Sequence, residues 1–384
     1  MRAQQNKNES FLFFLLLRLF VFNYFGIFAI VMEYNNYTND AVELLKSLIS
    51  TPSVSRNEDK AADVFTRFII KWGMEYKREA NNIWITGPDY DESKPTLLLN
   101  AHIDTVKPVD SWTRSPFAPE IEDGCIYGLG SNDCGGGLVS LLQAFRILSS
   151  RKQKYNLIFL ASAEEEVSGV NGISKVLPTL PPIDVAIVGE PTGMQPAIAE
   201  KGLMVLDVTA MGKSGHAARN EGVNAIYEAM DDLEWFRNYK FGKASEFLGP
   251  TLMNVTVINA GTQHNVIPDK CSFIVDVRTN EFDDNKDVYD FICKNVKSEV
   301  KARSFRLRSS HISISHPIVK RALDMGMEPF GSPTLSDQAL MSFPSLKLGP
   351  GESSRSHSAD EYIRISEIGN AIETYIRLLD GAVI

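Results

Sequence analysis

Cysteine is scarce in this chain of 384 residues, and its four cysteines are scattered along it. No two of them form a Cys-x-x-Cys pair, which argues against a zinc knuckle built from thiolates. Isolated cysteines in a chain of this length are typical of reduced thiols rather than of a disulfide framework. We therefore expect a cytoplasmic protein. The four are Cys125, Cys134, Cys271 and Cys293.

The chain also has no strongly basic stripe, no repeat of fixed period and no low-complexity linker. Its formal net charge is -9, which argues against nucleic acid as a partner. A Gly-x-Ser-x-Gly nucleophile elbow is missing. The Gly212-Lys213-Ser214 triplet is not a P-loop, because Asp207 stands where that motif needs its first glycine.

One apolar run is long enough to cross a bilayer, and it lies at the N-terminus. Residues 11–32 are almost wholly apolar, with Arg18 and Asn23 as the interruptions. The run fits a membrane anchor, a secretory signal or an upstream extension that the natural protein lacks. No A-x-A cleavage site follows it, and Met32 directly precedes a normal soluble start. We favour a start at Met32, so residues 1–31 are expected outside the mature fold, and no membrane partner is expected unless they are genuine.

A triplet of glutamates follows an apolar run in the first half of the chain. Leu157–Leu160 has the composition of a buried strand, and the chain then runs into Glu164, Glu165 and Glu166. Three adjacent carboxylates repel one another unless positive charge lies among them, and metal ions would supply that charge. The alternative is a solvated turn, so the prediction depends on whether other strands end in metal ligands.

Two further apolar runs end in the same way. Thr96–Ala101 stops at His102-Ile103-Asp104, where alternate side chains point to the same side, so Asp104 could orient a ligand or hold the imidazole. Asp184–Val188 is followed by Glu190. Ligands of open α/β sheets bind at the carboxyl ends of the strands, so the repetition favours a metal site there.

Asp133 lies in a turn rich in glycine, just before a predicted helix over 138–148. It is either the N-cap of that helix or a metal ligand. In the second case, the glycines of the turn let the backbone approach the metal site closely. A late histidine, His357, follows the Gly349-Pro350-Gly351 turn.

The pattern changes from residue 202 onward. Residues 203–210, 251–259 and 271–279 alternate like half-exposed antiparallel strands, helices are predicted over 223–235 and 284–300, and a further strand over 304–308. We predict an α/β protein whose catalytic domain has a central mixed, mostly parallel sheet flanked by helices. An α+β domain, an antiparallel sheet with two helices, is inserted into it. The predicted limits are 32–201 and 310–384 for the catalytic domain and 202–309 for the insertion.

Together these motifs resemble the M20 metallopeptidase family over about residues 38–379. The order is His-x-Asp at His102, the glycine-rich turn with Asp133, the Glu165-Glu166 pair, Gly-Glu-Pro at Glu190, and Gly-Pro-Gly with the late His357. Members of this family include acetylornithine deacetylase and succinyl-diaminopimelate desuccinylase.

The resemblance implies two zinc ions per chain, with cobalt as a possible substitute. His102 and Glu190 would hold one ion, Glu166 and His357 would hold the other, and Asp133 would bridge them. Glu165 would be the general base, and Asp104 would support the ligands.

The resemblance also implies a homodimer formed through the inserted domain. His216 would reach into the active site of the partner chain, although it otherwise looks like an ordinary surface histidine. Asn265, Arg278 and Gly351 would contact the substrate. Arg278 could instead be an ion-pair partner of Asp276.

The implied reaction is hydrolysis of an amide, which converts a small N-acyl amino acid to a carboxylate and a free amine. Removal of acetyl or succinyl from N-acyl-ornithine, in arginine biosynthesis, is our first choice. The alternatives are succinyl-diaminopimelate desuccinylase, a dipeptidase or carboxypeptidase of the same family, and a metal-free homologue used for binding. A membrane-tethered exopeptidase would require residues 1–31 to be genuine.

Overall fold

A computed structural model describes residues 35–219 and 221–384 of the chain. The predictions for residues 1–31, for the apolar run and for the start at Met32 lie outside the described residues. Within the described ranges, no helix is both long enough and apolar enough to cross a membrane.

The first half of the described chain contains both helices and strands. In chain order the helices are α1 (residues 35–49), α2 (Asp59–Lys71), α3 (Gly136–Ser149), α4 (Ile173–Val176), α5 (Ala225–Asn238), α6 (Asn285–Asn295), α7 (Pro317–Asp324) and α8 (Ile365–Leu379). The strands are β1 (Lys77–Glu79), β2 (Asn82–Thr86), β3 (Thr96–His102), β4 (Glu120–Glu122), β5 (Cys125–Tyr127), β6 (Asn156–Ser162), β7 (Val185–Val188), β8 (Ala197–Glu200), β9 (Met204–Met211), β10 (Gly215–His216), β11 (Ala244–Ser245), β12 (Gly249–Pro250), β13 (Leu252–Ala260), β14 (Val266–Ile267), β15 (Lys270–Arg278), β16 (Glu299–Ala302), β17 (Ser310–His311), β18 (Phe330–Ser332), β19 (Ser345–Lys347) and β20 (Tyr362–Arg364).

The largest sheet has the strand order β1-β2-β6-β3-β7-β19-β8-β17, with β18 also paired to β8. Its centre, β6-β3-β7-β19, is parallel, and the strands toward its two margins are mainly antiparallel. Every residue of β3 and β6 is buried, which is why these strands read as nearly continuous apolar runs. Helix α3 packs on both strands and on α8.

The register of the parallel strands places their carboxyl ends at one edge of the sheet. His102 at the end of β3 lies opposite Ser162 at the end of β6, and Asn100 lies opposite Val188 at the end of β7. The segments that follow these strands therefore begin side by side.

A second sheet, with the order β13-β15-β9-β16, is antiparallel throughout. The residues of β9 alternate between buried and half-buried, so one face of the sheet is covered. Helix α5 packs against three of its strands, and Phe236 and Phe273 meet edge to face in this core. The predicted fold class, a mixed α/β sheet plus a separate antiparallel sheet with helices, is confirmed. The domain limits at residues 202 and 309 stay predictions.

Two elements of the second part differ from the sequence prediction. Helix α6 ends at Asn295 instead of residue 300, because the Asp232 carboxylate accepts hydrogen bonds from the backbone N–H groups of Lys297 (3.0 Å) and Ser298 (2.8 Å) and turns the chain into β16. The strand predicted over 304–308 is wrong. Within residues 304–308, the Leu307 carbonyl accepts a hydrogen bond from the side-chain amide of Asn285 at 2.8 Å.

Candidate metal centre

Three parallel strands deliver acidic and imidazole side chains to the same edge of the central sheet. His102 is the last residue of β3, while Glu165 and Glu166 follow the end of β6 and Glu190 follows the end of β7. All four side chains are mostly shielded from solvent. The prediction that strand ends gather these residues therefore agrees with their positions in the structure.

Asp133 lies between the two histidines. Its Oδ1 is 3.4 Å from Nε2 of His102, and its Oδ2 is 3.5 Å from Nε2 of His357. Glu190 Oε1 is 3.8 Å from the same His102 nitrogen, and Glu166 Oε2 is 3.0 Å from the same His357 nitrogen. The other four residues thus form two groups around Asp133. His102 and Glu190 are on the Oδ1 side, and Glu166 and His357 are on the Oδ2 side.

The carboxylates of this cluster lie close together and are mostly buried. Burial, and then the charge of Asp133, raise the pKa of Glu190 to about 8. Burial, and then the charges of Glu190, Asp337 and Glu166, raise the pKa of Glu165 well above its ordinary value. The hydrogen bond that the Glu166 carboxylate accepts from the His357 imidazole raises the pKa of His357 to about 9. The cluster is therefore a place where additional positive charge is favourable.

The donor set fits divalent metal ions. Among the described residues, buried Oε1 of Glu190 has no hydrogen-bond partner, although it faces the His102 imidazole. A buried carboxylate oxygen without a partner is costly, and a cation would satisfy it. Imidazole nitrogen and carboxylate oxygen are ligands that zinc takes in proteins. The His102, Asp133 and Glu166 ligand atoms lie within 4.8 Å of one another.

Asp104 holds the glutamate turn more directly than it holds the imidazole. Its carboxylate accepts hydrogen bonds from the backbone N–H groups of Glu165 (3.0 Å) and Glu166 (3.2 Å) and from the Ser55 hydroxyl (2.6 Å). The backbone carbonyl of Asp104 lies 2.9 Å from Nδ1 of His102, whereas the carboxylate is 3.6 Å away. Asp104 therefore fixes the His102 ring through its backbone carbonyl and the backbone of Glu165 and Glu166 through its carboxylate.

Glu164 turns away from the cluster. It has a left-handed backbone conformation, with φ of 53°, and its carboxylate accepts from the backbone N–H (3.2 Å) and the side-chain amide (3.1 Å) of Asn171. A Cβ at Gly169 would lie 1.8 Å from Glu164 Oε2, so the turn requires glycine there. The three adjacent glutamates consequently have three different surroundings.

Glu361 is a residue of this site that the sequence analysis did not single out. Its buried carboxylate accepts backbone hydrogen bonds from Gly130 (3.0 Å), Asn132 (2.7 Å) and Asp133 (2.8 Å). It therefore holds the turn that carries Asp133. The sequence offers one hint, which is the acidic pair Asp360-Glu361 shortly after His357.

We expect Glu361→Ala to lower the free energy of unfolding by at least about 2 kcal/mol, because three buried donors lose their acceptor. Glu361→Gln keeps one acceptor oxygen and should lose less. Urea denaturation of the two variants and the wild type measures the difference. Equal stability of the alanine variant and the wild type would contradict a structural role for this carboxylate.

Cys134 contacts the cluster through the main chain of His102. Its Sγ accepts a hydrogen bond from the His102 backbone N–H at 3.2 Å, and burial raises the pKa of the thiol far above its ordinary value. A bound metal ion would lower that pKa, because a coordinating thiol is deprotonated. The Cys134, His102 and Glu190 ligand atoms lie within 4.8 Å of one another.

Three other predicted site residues, His216, Asn265 and Arg278, lie outside the central sheet. His216 is exposed, in a short pairing of β10 with β14, and its Nδ1 accepts from the Ala218 N–H at 3.2 Å. The Asn265 carbonyl accepts from the Ala217 N–H at 3.0 Å. The guanidinium of Arg278 donates to both carboxylate oxygens of Asp276, at 2.8 and 3.1 Å, as the alternative interpretation had it.

Gly351 has a supporting position behind Asp133. Its φ is 84°, and a Cβ there would lie 2.2 Å from Asn132 Oδ1, so this turn also requires glycine. The substrate contacts predicted for Gly351, Asn265 and Arg278 stay predictions.

A cleft of about 410 Å³ opens onto the cluster. Its floor carries Asp133, Glu165, Glu166, Glu190 and His357. Its walls are largely uncharged and comprise Pro191, Thr192, Phe330, Ser332, Pro333, Thr334, Leu335, Lys347, Ser353 and Ser356. The volume suits a small-molecule ligand.

Known proteins share this sequence pattern and this fold. The sequence model of peptidase family M20/M25/M40 matches residues 98–381. An acetylornithine deacetylase from Pectobacterium carotovorum subsp. carotovorum is 29% identical over 356 residues, covering 84% of this chain and 92% of that protein. A succinyl-diaminopimelate desuccinylase from Wolbachia pipientis subsp. Culex pipiens is 28% identical over 298 residues, covering 72% and 74%. The crystal structure of a dinuclear metal-binding M20 peptidase from Bacillus subtilis superposes with a TM-score of 0.69 at 18% identity, covering 90% and 98%.

The fold, the clustered ligands and the matched residues define a metal-dependent hydrolase that acts on amide bonds. The chain belongs to peptidase family M20/M25/M40. The resemblance predicted from the order of its motifs is confirmed, and the matched range contains all five residues of the candidate metal centre.

Proposed function

We propose that this chain is a two-zinc deacylase that removes an acetyl or succinyl group from an amino acid, with N-acyl-ornithine of arginine biosynthesis as the first candidate substrate. The observation that supports it most is the position of Asp133, whose two carboxylate oxygens face His102 and His357 separately. The similarity to acetylornithine deacetylase extends over 92% of that relative and supports the choice of substrate.

Five residues would hold the two ions. His102 and Glu190 would hold one ion, Glu166 and His357 would hold the other, and Asp133 would contact both. Bound there, the ions would make water acidic and stabilise negative charge on the substrate carbonyl. These roles rest on the grouping of the ligand atoms around Asp133.

Glu165 is the proposed proton carrier. Its Oε2 lies 3.9 Å from Nε2 of His102, at the floor of the cleft. Its carboxylate would take one proton from the attacking water and pass it to the amine nitrogen as the C–N bond breaks. Asp104 fixes the backbone of Glu165 and Glu166. The Glu165 side chain would then transfer the proton, and the Glu166 side chain would bind metal.

The substrate is tested with a panel of N-acetyl and N-succinyl amino acids and dipeptides, assayed with metal-free protein reconstituted with zinc or with cobalt. We expect N-acetylornithine to be hydrolysed with the highest kcat/KM. A preference for N-succinyl-diaminopimelate would support the desuccinylase, whose relative is 28% identical to this chain. A preference for dipeptides would support a dipeptidase, and a well-folded protein that binds no zinc would support a metal-free binding homologue.

The second sheet supports a homodimer as the assembly. Strand β13 is at one end of this sheet, and its exposed apolar side chains include Val257 and Ile258, which are 42% and 51% exposed. Helix α5 adds exposed Tyr227 and Met230. An exposed apolar edge strand is a template for pairing with another chain, and a two-fold axis would bury it in both copies. The partner proposed for this surface is a second copy of the chain.

We expect His216→Ala to lower kcat by about 100-fold without changing the metal content, if this histidine stabilises charge in the partner's active site. The exposed residue His311 on β17 offers a matched control, His311→Ala, which should keep normal turnover. Metal analysis and steady-state kinetics of both variants measure the effect.

A complementation experiment tests the cross-dimer arrangement directly. His216→Ala protein is mixed with Glu165→Ala protein under conditions of subunit exchange. Each heterodimer would contain one complete site, so random exchange should restore about a quarter of wild-type activity. No recovery in heterodimers shown to have formed would contradict a role of His216 in the partner's site.

The cytoplasmic location and the role of residues 1–31 stay proposals. The four cysteines are free, which agrees with reduced thiols. N-terminal sequencing of the native protein, together with membrane fractionation, distinguishes a start at Met32 from a membrane-tethered form.

A further inference from the structure

A buried ion pair lies beside the cleft and has no part in the mechanism above. Lys347 on β19 and Glu200 on β8 are only 2% and 0% exposed, and Lys347 Nζ is 2.9 Å from Glu200 Oε2. The two strands are neighbours in the central sheet. A lysine between Leu346 and Leu348 in a buried strand is unusual, since lysine is almost never fully buried unless paired.

Both members of the pair bind the same short segment, Ser332–Ser336, here called the wall segment. Lys347 Nζ donates to the Thr334 carbonyl at 3.0 Å and lies 3.3 Å from the hydroxyls of Ser332 and Thr334. Glu200 Oε1 accepts from the Ser336 N–H at 3.1 Å, and its Oε2 accepts from the Ser336 hydroxyl at 2.7 Å. The pair therefore holds both ends of the wall segment.

Most of the wall segment lines the cleft. Ser332, Pro333, Thr334 and Leu335 are lining residues of the same cleft as the metal cluster. The next residue, Asp337, accepts a hydrogen bond from the Ser162 hydroxyl at the end of β6, at 2.5 Å. A shift of the wall segment would therefore change the shape of the cleft that it lines.

Stability alone is a weak reason to keep this pair. Removing two charges from water is expensive, and a well-packed apolar pair of the same volume is often as stable. Burial alone would lower the pKa of Lys347, but the Glu200 carboxylate raises it above its ordinary value, so Lys347 is charged near neutral pH. What an apolar pair could not do is bind the carbonyl, hydroxyl and N–H groups of the wall segment.

We propose that Lys347 and Glu200 are positioning residues that fix the wall segment against the substrate and thereby set substrate affinity rather than the rate of the chemical step. The kinetic part of this inference rests on the proposed deacylase function, whereas the structural part does not.

The test uses Lys347→Met and Glu200→Gln in the full-length, zinc-loaded protein. Hydrogen–deuterium exchange should show faster exchange in peptides that contain residues 332–336, and unchanged exchange in peptides that contain His102 or Glu190. KM for the best N-acyl amino acid of the panel should rise about tenfold, with kcat within about threefold of wild type and the zinc content unchanged. Arg146→Met is a matched control, because Arg146 pairs with Asp40 at 2.8 Å and does not line this cleft.

Unchanged exchange of the wall segment together with an unchanged KM would overturn the proposal, as would a variant that loses zinc or loses kcat alone. If the exchange rises but no N-acyl amino acid is hydrolysed by any form of the protein, the positioning role is supported and the proposed function fails. Should Lys347→Met not fold, Ser336→Ala removes the hydroxyl bound by Glu200 and leaves the ion pair intact. Ser336→Ala should also raise KM, and an unchanged KM in that variant would overturn the proposal.

Discussion

Glu165→Ala should abolish turnover, by about a thousandfold or more, while the protein retains its metal. The carboxylate of Glu165 lines the cleft, 3.9 Å from Nε2 of His102, and in the proposed function it acts as the general base and not as a ligand. Loss of a positioned general base costs about 10²–10⁴-fold in rate. Steady-state kinetics and metal analysis of the same preparation measure both quantities.

The neighbouring glutamates provide the controls. Glu164→Gln should keep turnover within about fivefold, because the Glu164 side chain is bound to Asn171 and faces away from the cleft. Glu166→Ala should lose metal as well as turnover, since its carboxylate contacts His357. Full activity of Glu165→Ala would refute its role as the base, and loss of metal from it would reassign it as a ligand.

Asp133→Ala should remove most of both metal ions. Its two oxygens face the two histidines, so the substitution takes one ligand from each group. Loss of a ligand leaves the remaining carboxylates without the charge that offsets their repulsion. Metal analysis after dialysis should fall from two ions per chain to less than about one, with turnover lost in parallel.

His357→Ala is the informative comparison, because it removes a ligand from one group alone and should lose one ion of the two. Asp63→Asn is a matched carboxylate control, since Asp63 pairs with Arg78 at the surface. Circular dichroism should show that the Asp133 variant is folded. An Asp133→Ala protein that still holds two ions would exclude the bridging role, and equal metal loss in the two variants would argue against two separate groups.

The sequence was most informative at the strand ends. The apolar runs that become β3, β6 and β7 end at His102, at the glutamate triplet and shortly before Glu190, and parallel strands must bring such ends to one edge. This inference needs only local composition and one rule of sheet geometry. The glycine-rich turn had left Asp133 open between an N-cap and a metal ligand, and the family resemblance then favoured the ligand and added a metal role for His357, whose late loop no periodicity indicates.

The sequence was least informative where a side chain bonds to distant backbone. Helix α6 stops where Asp232 accepts two backbone N–H groups, and the segment after β16 is held by the Asn285 amide. Neither partner is near in sequence to the backbone it binds. Hydrophobic periodicity does not record such bonds, so the helix end and the strand over 304–308 were misplaced.

The sequence by itself determined which groups are available for chemistry and at which strand ends and turns they lie. Only the tertiary structure decided how they are grouped: which imidazole faces which oxygen of Asp133, that Glu361 holds the Asp133 turn, and that Lys347 and Glu200 hold one wall of the cleft. The physical reason is that strand ends follow from short-range burial patterns. Each of these groupings is a contact between segments far apart in the chain, formed once the sheet and its helices have packed.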